Sequence, residues 1–485
     1  MLFRALHLSD FHFGPLAHFH DANDPKTAGV KLAAEVIDAL EGNPQDYVSP
    51  LDFDAVILSG DFAWCGKPAA GGTAYPPQRS FDTALAFVKE LKRKGLVNRE
   101  LANLVVMPGN HDIAHADRSG GPLRTHARAE QEYREFLQRL FPKDRGRFSG
   151  DVLHLGYCHV FPSRGGLRPR PVVLLSLNSC RIETDFTPGL GWVGYDQIHS
   201  LILKDLPARL LQWAPRLGTQ DKPVCIACLH HHVHLTDPIP PSDVSVRAEG
   251  KVSILTDGPE MLDALMDLGF GVILHGHAHS PRRYAYGQHL RRSGLPPAGP
   301  LSVAAIAGAG SVCLSKESGN IRHGHQFQVV ECHDDEVVIW SYEVPLRDAG
   351  SPRDWVATPF KFPYTRDHDE NFVTAMQSRL SSDLNSKAEY ELRRFNACVN
   401  FEELLRGNRK LQGEILAGLV KLLSPVSSGE IRTPYERRLD QLRADPAQAK
   451  DERKELHRWL NKNHDGLETY LALTWEWPPI DEPTR

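Results

Sequence analysis

Five short polar clusters hold the residues of this 485-residue chain that could do chemistry. They are Asp10-Phe11-His12, Gly60-Asp61, Gly109-Asn110-His111-Asp112, His230-His231-His232 and Gly276-His277-Ala278-His279. Carboxylate oxygens and neutral imidazoles suit Mn, Fe, Zn and similar divalent ions. A carboxylate has two oxygens, so one such group can bridge two cations roughly 3.5–4 Å apart. A cation pair clamps phosphoryl oxygens and lowers the pKa of a water held between them from about 15.7 towards neutrality, so that hydroxide is available near pH 7. Cysteine is absent from the clusters, which argues against a structural zinc site. The glycines at 60, 109 and 276 let the backbone turn sharply and approach a ligand closely. A single Asp or His in such a place is usually a turn, cap or packing residue. Five clusters in equivalent places are not explained that way.

The elements that must position them are legible as apolar runs. Each cluster follows one: Phe3–Ser9, Ala55–Ser59, Leu104–Met107, Val224–Leu229 and Gly271–Leu274. A further run, Val172–Leu177, ends at Asn178, which is a candidate for substrate contact or for a turn. Helical patterns lie between the runs at Thr27–Leu40, Phe81–Lys94, Arg128–Leu140 and Pro259–Leu268. This is an α/β layout with strands buried on both faces. In open α/β sheets, ligands gather beyond the carboxyl ends of the strands, so the clusters are expected to converge. Later strands are expected at Leu301–Ile306, Gln326–Glu331 and Glu336–Tyr342, the last two paired across His333-Asp334-Asp335.

Two stretches, 63–77 and 281–300, read as long loops bordering the clusters. The second carries Arg282, Arg283, Arg291 and Arg292, which either grip phosphates or sit in solvent. From about Arg366 the texture changes to mixed charges with Leu, Ala and aromatic residues at helical spacing. The expected organisation is an α/β domain over 1–345, a linker over 346–365 and a helical accessory domain over 366–485. That last region is a candidate for self-association, for a protein partner or for capping the site.

Composition is that of an ordinary globular protein, and a net charge of −5 makes no case for a strongly basic nucleic-acid binder. Eight scattered cysteines do not suggest a disulfide framework. Cys225 and Cys228 form a CxxC inside an apolar run, where a strand would turn them to opposite faces as buried thiols. The N-terminus reads as a strand rather than a signal peptide, and no apolar run is long enough to span a bilayer. A cytoplasmic location without a membrane partner is the expectation.

The ordered set Asp-x-His, Gly-Asp, Gly-Asn-His-Asp, His and Gly-His-x-His resembles the calcineurin-like metallophosphoesterase superfamily over roughly residues 1–345. The resemblance implies a four-layer α-β-β-α sandwich of two mixed sheets flanked by helices, here followed by the C-terminal helical domain. It implies that Asp10, His12 and His279 hold one metal, that Asp61 bridges, and that Asn110, His230 and His277 hold the second. His111 would contact the phosphoryl oxygen or protonate the leaving group. Asp112 would orient His111 by accepting its other N–H. His231 is a candidate pocket residue, His232 and His234 read as loop histidines, and His7 reads as a packed strand residue. The two divalent ions are expected to be Mn, with Fe or Zn as alternatives.

Departures from subfamily patterns narrow the substrate. Asp61 is followed by Phe62-Ala63-Trp64 rather than the Arg-Gly of phosphoprotein phosphatases, and Trp64 stands where purple acid phosphatases have Tyr. Leu8-Ser9-Asp10-Phe11-His12-Phe13-Gly14 looks like the opening of cyclic-nucleotide phosphodiesterases and of double-strand-break repair nucleases. The expected substrate is therefore a nucleotide or nucleic-acid diester. The alternatives are small phosphomonoesters, or an interaction scaffold that has lost activity.

Overall fold

The computed structural model describes residues 1–363 except 16, 18, 21–23, 43–48, 64–74, 114–125, 144–155, 166–169, 182–189, 207–208, 211–222, 234–253, 256, 278–281, 288–302, 314–324, 335 and 345–354. The strands, in chain order, are β1 (Phe3–Leu8), β2 (Ala55–Leu58), β3 (Leu104–Val106), β4 (Tyr157–Pro162), β5 (Pro171–Ser176), β6 (Leu190–Gly191), β7 (Val224–Cys228), β8 (Ile254–Leu255), β9 (Val272–His275), β10 (Arg282–Gly287), β11 (Val303–Gly308), β12 (His325–Cys332), β13 (Glu336–Val344) and β14 (Val356–Pro363). The helices are α1 (Pro25–Gly42), α2 (Pro77–Arg93), α3 (Asn110–Ile113), α4 (His126–Leu140), α5 (Tyr195–Ser200), which runs into a π-helical turn (Leu201–Asp205), and α6 (Gly258–Asp267).

Two six-stranded sheets result, ordered β14-β13-β12-β1-β2-β3 and β10-β11-β9-β7-β5-β4. Both are mixed. The strands that feed the polar clusters run parallel: β1, β2 and β3 in one sheet, β5, β7 and β9 in the other. Parallel strands between covering layers are buried on both faces, which is why they are mostly apolar. The antiparallel strands flank them, with β12 paired to β1 and β4 to β5.

Side-chain alternation divides the core in three. Phe3, Ala5, Ile57 and Val105 of the first sheet share one cluster with Leu174, Ile226, Leu274 and Ala305 of the second. On the first sheet's other face, Leu6, Leu8, Val56 and Leu58 meet Leu32 and Val36 of α1, Phe87 and Leu91 of α2 and Phe136 of α4. On the second sheet's other face, Val173, Cys225 and Ile273 meet Ile202 and Leu262 and Leu265 of α6. Each fully buried Leu, Ile, Val or Phe contributes about 1.5–3 kcal/mol. Cys225 and Cys228 lie in different clusters, on opposite faces of β7.

Several elements were not legible beforehand. β4 went unread. The stretch 281–300, expected to be a loop, begins with β10: its Arg-Arg-Tyr-Ala-Tyr alternation puts Tyr284 and Tyr286 on the apolar cluster under β11. The first sheet continues past residue 345, because β14 lies within the stretch 346–365 and pairs along β13 from Glu343↔Val356 to Glu336↔Pro363. The expected helical region 366–485 lies outside the described residues, as does most of 63–77. Among the described residues, no helix is long and apolar enough to cross a membrane.

Candidate metal centre

The polar clusters converge at one end of the two sheets. As β1 leaves its ladder, its extension zips to the loop after β2: Asp10 N–H donates to Gly60 O (3.2 Å), His12 N–H to Asp61 O (2.7 Å) and Phe13 N–H to Phe62 O (3.0 Å). The chain there is forced into an unusual shape. Asp10, His12, Asp61 and His277 all have positive φ, at 55°, 43°, 57° and 71°. Left-handed backbone at a residue with a Cβ costs about 1–3 kcal/mol and persists where surrounding structure over-determines it. Gly60 and Gly109 meet backbone to backbone. A Cβ on Gly109 would fall on the Asp61 backbone and carboxylate, and one on Gly276 would fall on Ser9 Oγ.

Asp61 is the hub. Its Oδ2 lies 3.3 Å from His230 Nε2, 3.5 Å from His12 Nε2 and 4.0 Å from His111 Nε2. Its Oδ1 accepts the backbone N–H of His111 at 2.9 Å. His230 Nε2 also lies 3.0 Å from Asn110 Oδ1 and 3.1 Å from His277 Nδ1. His230 Nδ1 faces the carbonyl oxygen of Ser59 at 2.7 Å. A carbonyl only accepts, so Nδ1 carries a hydrogen and Nε2 is the atom presented to Asp61, Asn110 and His277. Asp10 Oδ2 accepts the N–H of His277 at 2.9 Å, and its Oδ1 lies 3.9 Å from His12 Nε2.

Two donor groups follow, His12–Asp61–His111 and Asp61–His230–His277, with the ligand atoms of each within 4.8 Å of one another. Of the expected ligands, Asp10, His12, Asp61, Asn110, His230 and His277 are brought together, and His279 lies outside the described residues. The set fits divalent cations. His277 Nε2 is buried and makes no hydrogen bond, which costs about 1–3 kcal/mol unless a partner arrives.

Charge is shared unevenly among these groups. Burial works against ionising Asp61, but His230, His111 and His12 around it hold its carboxyl well below the usual range. Burial also works against charge on His230, yet Asp61 beside it raises that imidazole to about 10, so His230 must release a proton for a cation to bind there. Burial, with His231 and His230 alongside, holds His277 well below its usual value, in the neutral form a ligand needs. The His111 side chain is 23% exposed, against 2% or less for His12, Asp61 and His230, so His111 faces the opening of the site.

The remaining residues singled out in the sequence are placed as follows. Both oxygens of Asp112 accept backbone N–H groups, Oδ1 from Ala63 (2.8 Å) and Oδ2 from Gly109 (2.9 Å). Burial, and then Asp61, push its carboxyl up to about 7. His231 is fully buried, with Nδ1 2.9 Å from Ser179 Oγ, and does not line a surface. His232 lies in the loop after β7, as expected, and is buried there with its ring 4.7 Å from that of His275. Asn178 makes a turn, its Oδ1 accepting the N–H of Cys180 at 2.9 Å. His7 is buried 2.8 Å from Ser59 Oγ, and burial pushes it down to about 3. Arg283 is not a free loop cation: it lies over the Phe360 ring at 3.9 Å and donates to Glu343 at 2.8 Å. Arg291, Arg292 and His234 fall outside the described residues.

Ser179 went unforeseen. Its hydroxyl oxygen accepts the N–H groups of His230 (3.2 Å) and His231 (3.1 Å), which fixes the turn after β7. The available signal was its place just past the end of β5, equivalent to that of the other clusters.

The sequence model of the calcineurin-like phosphoesterase family matches residues 3–281. No curated protein matches the chain. Two solved structures similar to it are Vps29 from Chaetomium thermophilum, at 8% identity, and vacuolar protein sorting 29 from Cryptosporidium parvum, at 12%. Each comparison covers 75% of this chain and 98% of the other, with a TM-score of 0.25, too low to bear on function.

Proposed function

Since the chain belongs to the calcineurin-like phosphoesterase family, we propose that it hydrolyses phosphoesters at a two-cation centre built on Asp61. The observation that carries this reading is that one carboxylate belongs to both donor groups, as a bridging ligand must. Asp10, His12 and Asp61 hold one cation, with His279 as a fourth donor. Asp61, Asn110, His230 and His277 hold the other. When bound, such a pair polarises the phosphoryl oxygens and activates water for in-line attack.

The remaining work falls to the chain. The buried imidazoles and carboxylates keep their geometry because backbone bonds hold them before any substrate arrives. His111, the exposed member, meets the phosphoryl group and delivers a proton to the departing oxygen. The opening motif Leu8–Gly14 favours a nucleotide or nucleic-acid diester as substrate, and the donor chemistry suits Mn. The four-layer sandwich and a helical domain over 366–485 complete this reading.

A panel of chromogenic phosphomonoesters and diesters, assayed with added Mn, tests it. Turnover of diesters above monoesters is expected. Preference for monoesters would replace the substrate class. Stoichiometric Mn binding with no turnover of any ester would leave a scaffold in place of an enzyme.

A further inference from the structure

On the reading that this centre binds two cations, we propose that Asp112 is a positioning residue whose carboxylate clasps together the segments carrying Asp61 and Asn110. The bonds are reciprocal. Asp112, in the short helix α3 that follows β3, accepts the N–H of Ala63 on the loop after β2, at 2.8 Å. Asp61, on the loop after β2, accepts the N–H of His111 in α3, at 2.9 Å. Each segment lends a carboxylate to the other's backbone.

The clasp stands where the ladder ends. β2 and β3 pair up to Leu58↔Val106, and Met107 N–H still reaches Leu58 O at 3.1 Å. Beyond that the two backbones touch at Gly60 and Gly109, and the carboxylates take over the linking. Asp112 also braces its own segment. It sits three residues after Gly109, donates its N–H to Gly109 O (3.1 Å) and reaches back with Oδ2 to Gly109 N–H (2.9 Å). That is the side-chain half of a capping box, and it holds the entry to α3 where Asn110 begins.

An aspartate suits this post because its two oxygens can each accept one of the two amides. Asparagine keeps one acceptor and turns an N–H₂ group against one of the two amides. The clasp therefore controls the spacing of Asp61 from Asn110. Groups that orient metal ligands in this way change metal affinity about 10–100-fold when removed.

The test is D112N in the full chain, read by Mn²⁺ titration calorimetry and by site-resolved amide hydrogen exchange. Mn²⁺ affinity is expected to fall about 10–100-fold. The amides of Ala63 and Gly109, slow to exchange in the wild type, become fast, while that of Val105 in β3 is unchanged. Wild-type Mn²⁺ affinity together with unchanged exchange at Ala63 and Gly109 overturns the proposal, and is what a role confined to orienting the His111 ring predicts. If D112N does not fold, the wild type decides: protected amides at Ala63 and Gly109 support the clasp and unprotected ones refute it. If the wild type binds no Mn²⁺, the functional reading fails, and amide exchange still judges the clasp separately.

Discussion

The carboxylate of Asp10 accepts the backbone N–H of His277 at 2.9 Å, joining residues 267 positions apart and drawn from different sheets. The bond uses Asp10 Oδ2 and leaves Oδ1 towards His12. Asp10 is the strut that seats His277, and on the proposed reading it is also a donor to a cation. Asp10→Ala should lose both functions. Mn²⁺ binding measured by calorimetry should weaken about tenfold or more, as for groups that ligate or orient ligands. Wild-type affinity in that variant would remove Asp10 from the centre.

Asp61→Ala should abolish turnover and prevent stoichiometric loading, because both donor groups contain this one carboxylate. Elemental analysis after dialysis against Mn²⁺ reads the outcome. Two full equivalents bound to the variant would contradict a bridging role.

His111→Ala should keep its metals, because on the proposed reading Asp10, His12 and Asp61 hold the nearer cation without the partly exposed His111 ring. Its rate should drop about 10²–10⁴-fold, the usual worth of a positioned acid–base group. A variant that turned over substrate like the wild type would assign the proton to another residue.

A stability prediction comes from the opposite end of β1. Arg4 is buried, bonds Glu331 through Nε at 3.2 Å and lies 4.5 Å from the Phe53 ring centre. Trp340 Nε1–H donates to the other Glu331 oxygen at 2.9 Å. Glu331→Ala leaves a buried guanidinium without its carboxylate, a loss of about 3–5 kcal/mol. Urea denaturation measures it, and a loss under about 1 kcal/mol would show that water reaches Arg4 and compensates.

Cys225 and Cys228 should resist alkylation in the folded protein despite their CxxC spacing. Burial pushes both thiols well above the usual range, and it pushes Cys158 up to about 12. The thiolate is the nucleophile, so reaction should wait for unfolding. Mass spectrometry of native protein treated with iodoacetamide checks this. Rapid labelling at either residue would place β7 at a surface.

Much of the centre was legible because its signals are local. An apolar run followed by Gly-Asp or Gly-Asn-His-Asp states a strand, its end and a donor within a few residues. The parallel strands β1, β2, β3, β7 and β9 were recoverable on that basis, along with the donors beyond them. β10 and β14 were harder. Arg, Lys and Pro lower their apolar content, and what makes them strands is pairing with β11 and β13.

The amino-acid order by itself determined which chemical groups are available, and that they fall at strand ends, where a parallel sheet gathers them. It could not determine what each group is used for. Asp112 looks like a partner for its neighbour His111, yet both its oxygens accept backbone amides, one of them in another loop. Asp10, His12, Asp61 and His277 take left-handed backbone, which no local preference of Asp or His would select. These outcomes depend on contacts between segments 49 to 267 residues apart. Only closing the two sheets against each other brings those segments within hydrogen-bond range, and the bonds gained there hold a backbone shape that the local chain disfavours.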